Sequence, residues 1–396
     1  MIACRTPLVV AAVTILLGPG LPAGGADTAP VAPVASDKAP PVAQWGRETL
    51  ARIEMDLRVP GSDLYAEWLS AAGERGNKYG RFSFVWPAGF QLRALTAAAR
   101  ADGRQYGRGL VRFADALQKY WLVKDGVGGY MVLAMPSGRF YDDNAWLMIG
   151  LIEAYEVTGQ KRYLDRAARL VPLMLKAEKE TAGGGIRQEE GKGSGAFTCT
   201  TAPAAVGALK LYRITRDKSY LEAAERWYAW LVSPDVGVRD RRDGLYHQGA
   251  KFVDGKWEVK SGYRAYQSAL PLQAAVLLSR IKTGPDGARH LAEAQRLADA
   301  CVRHWVKPSG AMNETGQWGG SDLIDALLDL YDVDHNARWL GACRRVLRHL
   351  HDVCRDPNGR YGEYWHVDRR KTPLKEVHLL YMAPVARAYW RAARYR

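Results

Sequence analysis

The sequence predicts an all-α fold in which six helical hairpins close into a ring. Three observations lead there: apolar residues recur at helical spacing from Trp45 onward, convincing alternating runs are few, and one helix–turn–helix junction repeats along the chain. With 47% hydrophobic and 25% charged residues among 396, the chain can bury a large core, which excludes disordered, collagenous and multi-span membrane classes.

The first 26 residues stand apart from this pattern. Arg5, the uncharged run Leu8 to Leu17 and the small residues Ala23-Gly24-Gly25-Ala26 have the layout of a secretory signal peptide. The run is about half of the roughly 20 residues a spanning helix needs, so the expectation is export to a periplasm or the medium with no stable membrane span. Residues 27–44 are Pro/Ala-rich, with Pro30, Pro33, Pro40 and Pro41, and are expected to form an extended linker. The barrel domain is then expected over residues 45–396.

The net charge of +14 raises nucleic acid or an acidic polymer as a partner. The basic residues are scattered over helical segments with acidic ones between them, and no nucleic-acid-binding motif is present, so nucleic acid is set aside. Beyond Cys4 the cysteines are Cys199, Cys301, Cys343 and Cys354, none in a Cys-x-x-Cys spacing, and buried thiols are expected rather than a disulfide framework. His349 and His351 are two apart, which points them to different helix faces as surface residues, and no metal site is expected.

The repeated junction is clearest at Tyr155-Glu156-Val157-Thr158-Gly159, echoed by Tyr212-Arg213-Ile214-Thr215-Arg216 and Tyr331-Asp332-Val333-Asp334-His335. Each places one aromatic eight residues before another: Tyr163, Tyr220 and Trp339. The stretch from Ala98 to Tyr106 is a fainter copy and Leu278 to Leu291 a looser one. Each copy reads as a helix ending, a short polar turn and a second helix, with the two aromatics packing across the turn. Five junctions, and room for a sixth hairpin near Val377 to Arg396, give units of about 59 residues. Twelve helices alternating between an inner and an outer ring would use the chain completely, an (α/α)6 barrel; an open solenoid is the alternative, although no polar end caps are visible.

In such a ring the short turns fall on one rim. The long loops fall on the other: Lys124 to Tyr141, Thr181 to Gly195, Asp235 to Arg264, Lys307 to Gly320 and Asp356 to Thr372. Long aromatic loops on a rigid scaffold are where function is expected.

The sharpest feature on that rim is Tyr141-Asp142-Asp143-Asn144-Ala145-Trp146, two adjacent carboxylates where a loop enters a periodic helix. Paired carboxylates are what glycoside hydrolysis requires, one as nucleophile or base and one as acid. Asp is also among the preferred helix N-caps, so one of the two could simply cap the helix. From spacing alone both readings stand.

This motif, followed by Glu153-Ala154-Tyr155-Glu156-Val157-Thr158-Gly159 and Arg162-Tyr163-Leu164-Asp165, resembles glycoside hydrolase family 76, the endo-α-1,6-mannanases. Gly183-Gly184-Gly185-Ile186, Leu211 to Thr215 and Asp356 to Gly362 are similar to further family segments, so the resemblance spans roughly Trp86 to Gly362. It implies an (α/α)6 barrel, hydrolysis with retention, Asp142 as nucleophile and Asp143 as general acid/base, with no cofactor. Ile186 is followed by Arg187 and Gln188 where the family loop has two tryptophans, and Ala196 to Thr201 keeps neither asparagine of the family stretch. Of a further family stretch only Gln267, preceded by Tyr266, has a counterpart.

Trp86, Tyr141, Tyr263, Tyr266, Trp318 and Trp365 are candidate surfaces for stacking against sugar, with core packing an alternative for Trp86. Arg187 and Gln267 are further candidate substrate contacts, and Arg187, Lys192, Lys260 and Arg264 would favour an acidic or phosphorylated glycan or else are solvated loop cations. The expectation is a monomeric exported hydrolase acting on an α-linked mannose-type or related polysaccharide or oligosaccharide. The alternatives are an unsaturated-uronide hydrolase or polysaccharide lyase on the same barrel, and a glycan-binding barrel without turnover.

Overall fold

The computed structural model describes residues 41–179, 181, 183–191, 195–313 and 317–395. The expected signal peptide and most of the linker, with Lys192, lie outside them. Helix α1 (Val42–Leu57) begins within the stretch expected to be extended, directly after Pro41.

Six helices form the inner ring: α2 (Val85–Ala101), α4 (Tyr141–Thr158), α7 (Thr198–Thr215), α9 (Ala265–Ile281), α11 (Gly320–Asp334) and α13 (Leu379–Ala392). Each packs against the next, and α13 packs against both α11 and α2, so the ring closes and the open solenoid is excluded. These helices are buried on most of their circumference, as expected of helices lying between an axis and a second layer. Outside them lie α3 (Gly103–Ala116), α5 (Lys161–Ala168) with α6 (Val171–Lys179), α8 (Lys218–Val232), α10 (Gly284–Trp305), α12 (Ala337–His349) and α1. Twelve helices were expected and thirteen are found among the described residues, because one outer helix is interrupted. Pro172 has no N–H to offer the carbonyl of Ala168, and the chain turns at Arg169 and Leu170 before resuming as α6.

The sixth hairpin is made from the two ends of the folded chain, α13 inside and α1 outside. Strand β1 (Trp68–Leu69) reinforces this closure, lying between β2 (Arg75–Gly76) and β8 (Val377–His378), with Trp68 opposite His378 and Leu69 opposite Val377.

The repeated junctions share one construction. Gly159, Arg216 and His335 all adopt positive φ, and each donates its N–H to the carbonyl of the aromatic four residues earlier, Tyr155, Tyr212 and Tyr331, at 2.8 to 2.9 Å. The next backbone N–H is then taken up by a side-chain oxygen of the turn: Thr158 for Gln160, Thr215 for Asp217 and Asp334 for Asn336. The paired aromatics do not pack on each other across the turn as expected. Tyr163 reaches instead to Asp115 and the carbonyl of Val111 on α3, and the Trp339 indole donates to Asp334.

Two charge patterns follow from the ring. All six inner helices run from the long-loop rim to the short-turn rim, and Arg100, Arg213, Arg280 and Arg391 lie in last turns, where cations complement the negative helix end. Part of the chain's basic excess is thereby structural. Toward the middle, Arg93 bridges Asp322 and Asp325 at 2.8 Å each, while Arg387 joins Glu153 to Asp325 and Arg391 joins Asp325 to Asp329. These groups come from α2, α4, α11 and α13; all but the partly exposed Asp329 are buried, and removing a buried one would strand its partners away from water.

The four cysteines among the described residues are buried free thiols. His349 and His351 are not plain surface residues: both are partly buried, and His351 stacks on Trp45 at 4.1 Å. Among the described residues no helix is long and apolar enough to cross a membrane.

Candidate active site

The long loops meet at the N-terminal ends of the inner helices and fold into small antiparallel sheets. Strands β3 (Trp121–Lys124) and β4 (Val127–Tyr130) form one hairpin, and β5 (Gly195–Phe197), β6 (His247–Val253) and β7 (Lys256–Tyr263) form a three-stranded sheet. Their alternation is short and interrupted by glycines, which is why the sequence reads as loop there.

The start of α4 is held by three anchors. Asn144 accepts the N–H of Tyr130 at 2.6 Å and donates to the carbonyls of Tyr130 and Phe140, tying the first helical turn to β4. The N–H of Tyr141 donates to the carbonyl of Gln188 at 2.7 Å, and Phe140 pairs with Glu189. Arg139 then grips Glu190 through two bonds of 2.7 Å, with Lys176 on the same carboxylate at 2.8 Å, and this pairing holds Glu190 down at about 2.

Asp142 and Asp143 are the second and third residues of α4, and their surroundings differ. Asp142 is partly exposed. Its Oδ1 accepts the N–H of Asp143 at 3.0 Å and its Oδ2 accepts Nε2 of Gln188 at 2.8 Å, with Sγ of Cys199 at 3.9 Å. Burial pushes Asp142 up to about 6, while the Gln188 amide and the backbone N–H groups hold it from rising further. Asp143 is only 8% exposed and accepts no hydrogen bond from a described residue, yet its carboxylate is not sealed off from solvent. Burial and then the charge of Asp142 raise it well above the usual carboxylate range. One acid is thus equipped to be an anion and its neighbour to hold a proton. Neither acid is the N-cap of α4: that position is Phe140, which makes no side-chain cap hydrogen bond, and within the first turn Asp142 takes only the N–H of its neighbour Asp143, with one of its two oxygens.

Beside the pair lies an aromatic cluster. Tyr266 stacks on Trp318 with centroids 5.0 Å apart and planes at 17°, and Trp86 meets Trp318 edge-on at 4.9 Å. Trp146 approaches Tyr266 at 6.2 Å. Trp86 and Tyr266 remain partly exposed and can offer a face to a sugar, while Trp318 is enclosed between them. Two expected stacking residues cannot serve. Tyr141 is wholly buried beneath the start of α4, and Trp365 is 1% exposed, its ring against Gly320 so tightly that a Cβ there would lie 2.6 Å from it. Tyr263 is partly exposed but committed, stacked on His247 at 4.8 Å with its hydroxyl donating to Asp240 at 2.8 Å. Gln267 is 3% exposed with an enclosed, unpaired Oε1, leaving the amide nitrogen as the side that reaches solvent.

Arg187 and Arg264 are partly exposed, and Lys260 is exposed over the ring of Phe197 at 5.3 Å. Gly185 lies against Trp230 and Ala196, where a Cβ would overlap both, and the following Ile186 is a buried plug. Sequence reading missed Gln188 as a contact of Asp142, and Glu363, a half-buried acid raised by its burial and set near Arg264 and Tyr381. Neither carries a local signal, because each reaches the site only through the ring.

No curated protein matches the chain. Among solved structures, a family 76 α-mannanase from Bacteroides thetaiotaomicron superposes with a TM-score of 0.80 at 27% identity, covering 89% of this chain and 96% of that one. An inactive variant of an α-1,6-mannanase from Salegentibacter sp., with two successive aspartates replaced by asparagine and α-1,6-mannotriose bound, superposes with a TM-score of 0.72 at 18% identity, covering 89% and 99%. A cellobiose 2-epimerase from Bacillus thermoamylovorans shares the fold at a TM-score of 0.67 and 15% identity, covering 88% and 98%, so the ring also carries other sugar chemistry. The sequence profile described as glycosyl hydrolase family 76 matches residues 64–323, more than half of the chain. A six-hairpin ring, an asymmetric acid pair at its mouth and that match lead to one conclusion: the chain belongs to glycosyl hydrolase family 76 and is a glycoside hydrolase.

Proposed function

We propose that this protein hydrolyses α-1,6-linked mannose polymers or closely related glycans with retention of anomeric configuration, using Asp142 and Asp143. The observation that carries this reading is the unequal environment of the two adjacent acids. Asp142, with donors on both carboxylate oxygens, attacks the anomeric carbon as an anion. Asp143, which accepts no hydrogen bond from a described residue, delivers its proton to the departing glycosidic oxygen. Asp143 then takes a proton from water as the water oxygen attacks the same carbon, and Asp142 leaves as a carboxylate. Each proton lost is returned within one cycle.

Proton transfer of this kind contributes roughly 10² to 10⁴ in rate, and covalent attack and ring distortion supply the remainder. Trp86 and Tyr266 are the faces on which a sugar would stack, and the amide nitrogen of Gln267 is a donor within the same region. Family membership and the α-mannanase neighbours support the substrate class. Lys260 and Arg264 favour variants of that polymer carrying acidic groups. Export through the amino-terminal segment belongs to the same proposal and rests on the layout of Arg5 and Leu8 to Leu17.

The test is product analysis of the purified protein on α-1,6-mannan, on acidic mannose polymers and on uronate-containing oligosaccharides, with the anomer formed first read by proton NMR. Release of α-anomeric products from a mannose polymer is expected. An ultraviolet-absorbing unsaturated product would replace the hydrolase reading with a lyase, and glycan binding that survives equally in Asp142→Asn without any product would replace it with a binding protein.

A further inference from the structure

We propose that Gln188 is a positioning residue, whose side-chain amide sets the orientation of the Asp142 carboxylate and decides which of the two adjacent acids is the nucleophile. This rests on the reading of Asp142 and Asp143 as the working pair. Gln188 is 46 residues from Asp142 in sequence, and its Nε2 lies 2.8 Å from Oδ2 of Asp142. The other oxygen, Oδ1, is held by the N–H of Asp143 at 3.0 Å. Two donors on different oxygens fix the plane of the carboxylate, and a planar group fixed in this way presents its remaining lone pairs in one direction.

The segment bearing Gln188 has little freedom to carry the amide elsewhere. Its own carbonyl accepts the N–H of Tyr141 at 2.7 Å, and the next residue but one, Glu190, donates its N–H to the carbonyl of Arg139 at 3.2 Å. On the other side, Ile186 is buried and its N–H donates to Oγ1 of Thr201 at 2.9 Å. Strand pairing, an enclosed side chain and the Arg139–Glu190 ion pair therefore hold the amide in place from both directions.

The chemistry of an amide suits the task. Its N–H stabilises an anion without adding a positive charge that would pair with the nucleophile and blunt its attack. Among the described residues Asp143 receives no comparable donor, so when one of the two crowded acids must hold a proton, the geometry places it on Asp143. Two neighbouring carboxylates of the same chemistry are made unequal by a neutral side chain acting with a backbone N–H.

The experiment uses the full chain with ¹³C-labelled aspartate carboxyls, titrated by NMR in the wild type, Gln188→Leu and Gln188→Glu, with the Asp142 signal assigned from Asp142→Asn. In Gln188→Leu the Asp142 carboxylate should titrate about one pH unit higher or more, a tenfold shift in its protonation equilibrium, and Gln188→Glu should move it further in the same direction. On any glycan the wild type hydrolyses, the acidic limb of kcat/KM should move by the same amount, with kcat reduced and KM within about twofold. An unmoved Asp142 titration in both variants overturns the proposal. So does a rise in KM alone, which would make Gln188 a substrate contact. The titration needs no substrate, so a wild type inactive on mannose polymers would sink the proposed function and leave this measurement intact. Should Gln188→Leu lose its fold, the Gln188→Glu titration decides.

Discussion

Arg139 and Glu190, 51 residues apart, meet in a two-point ion pair in which Nε and Nη2 of the guanidinium each lie 2.7 Å from a separate oxygen of the carboxylate. Arg139 is almost wholly buried and also donates to the carbonyl of Val127 at 2.7 Å. The pair clasps the loop before β5 onto the entrance of α4, and so ties the rim to the acid pair. Glu190→Ala leaves a buried cation without its anion, and the expected cost is about 3 to 5 kcal/mol of unfolding free energy by urea titration. Glu190→Gln keeps the shape and should cost less. Equal stability of Glu190→Ala and wild type would show that the clasp is dispensable.

Asp142→Asn and Asp143→Asn should each abolish hydrolysis without lowering the melting temperature. Both acids are raised by burial, so their contribution to stability is complete below about pH 4 and is lost as the pH climbs, through about 6 for Asp142 and higher for Asp143. An amide at either position removes that loss. Calorimetry at pH 7.5 should find both variants as stable as the wild type or more so. A marked fall in both would make capping the main role of the pair. In the active enzyme, kcat/KM should rise through about pH 6, as Asp142 ionises, and decline at higher pH as Asp143 gives up its proton.

Glu67 is a further buried acid, pushed up to about 7 by desolvation against the N–H of Phe84 that it accepts at 3.0 Å. Its folded value lies above the unfolded one, so the stability it contributes is full below about pH 4.5 and is lost as the pH rises through 7. At one pKa unit per 1.36 kcal/mol the loss is about 3 kcal/mol at most. Glu67→Gln should flatten the stability curve between those limits, as read by urea denaturation at several pH values. A variant whose curve matches the wild type would contradict this.

Trp86 and Trp365 were both candidates for sugar stacking, with core packing an alternative for Trp86, and burial reverses that: Trp365 is enclosed and Trp86 partly exposed. Trp86→Ala should raise KM for oligosaccharides several-fold with a modest effect on melting temperature. Trp365→Ala should cost about 3 to 5 kcal/mol of stability, the range for emptying a core aromatic site. The two variants, compared by calorimetry and by kinetics on one substrate, should fall on opposite axes.

The short-turn rim was legible in sequence because each of its turns is a local device. A left-handed residue, a hydroxyl or carboxylate and an aromatic must stand at fixed offsets, and Tyr155 to Gly159, Tyr212 to Arg216 and Tyr331 to His335 show that spacing directly. The Asp142-Asp143-Asn144 run was legible for the same reason, since a helix start and its acids are contiguous. Asn144 nevertheless acts on Tyr130, which no spacing announces.

What the chain by itself determined was the helical hairpin, its repetition and the location of the acid pair at the start of an inner helix, all set by interactions within about a dozen residues. Only the closed ring decided the rest. Joining α13 to α1, bringing Gln188 to Asp142 and Glu190 to Arg139, and burying Tyr141 and Trp365 all depend on residues tens or hundreds of positions apart. The same holds for Arg93 between Asp322 and Asp325: a charged residue reads as solvated until the helix that meets it, α11, two places round the ring, is known. Desolvation is a property of everything that surrounds a group, and it raises both adjacent aspartates, while the donors brought to Asp142 favour that one as the anion.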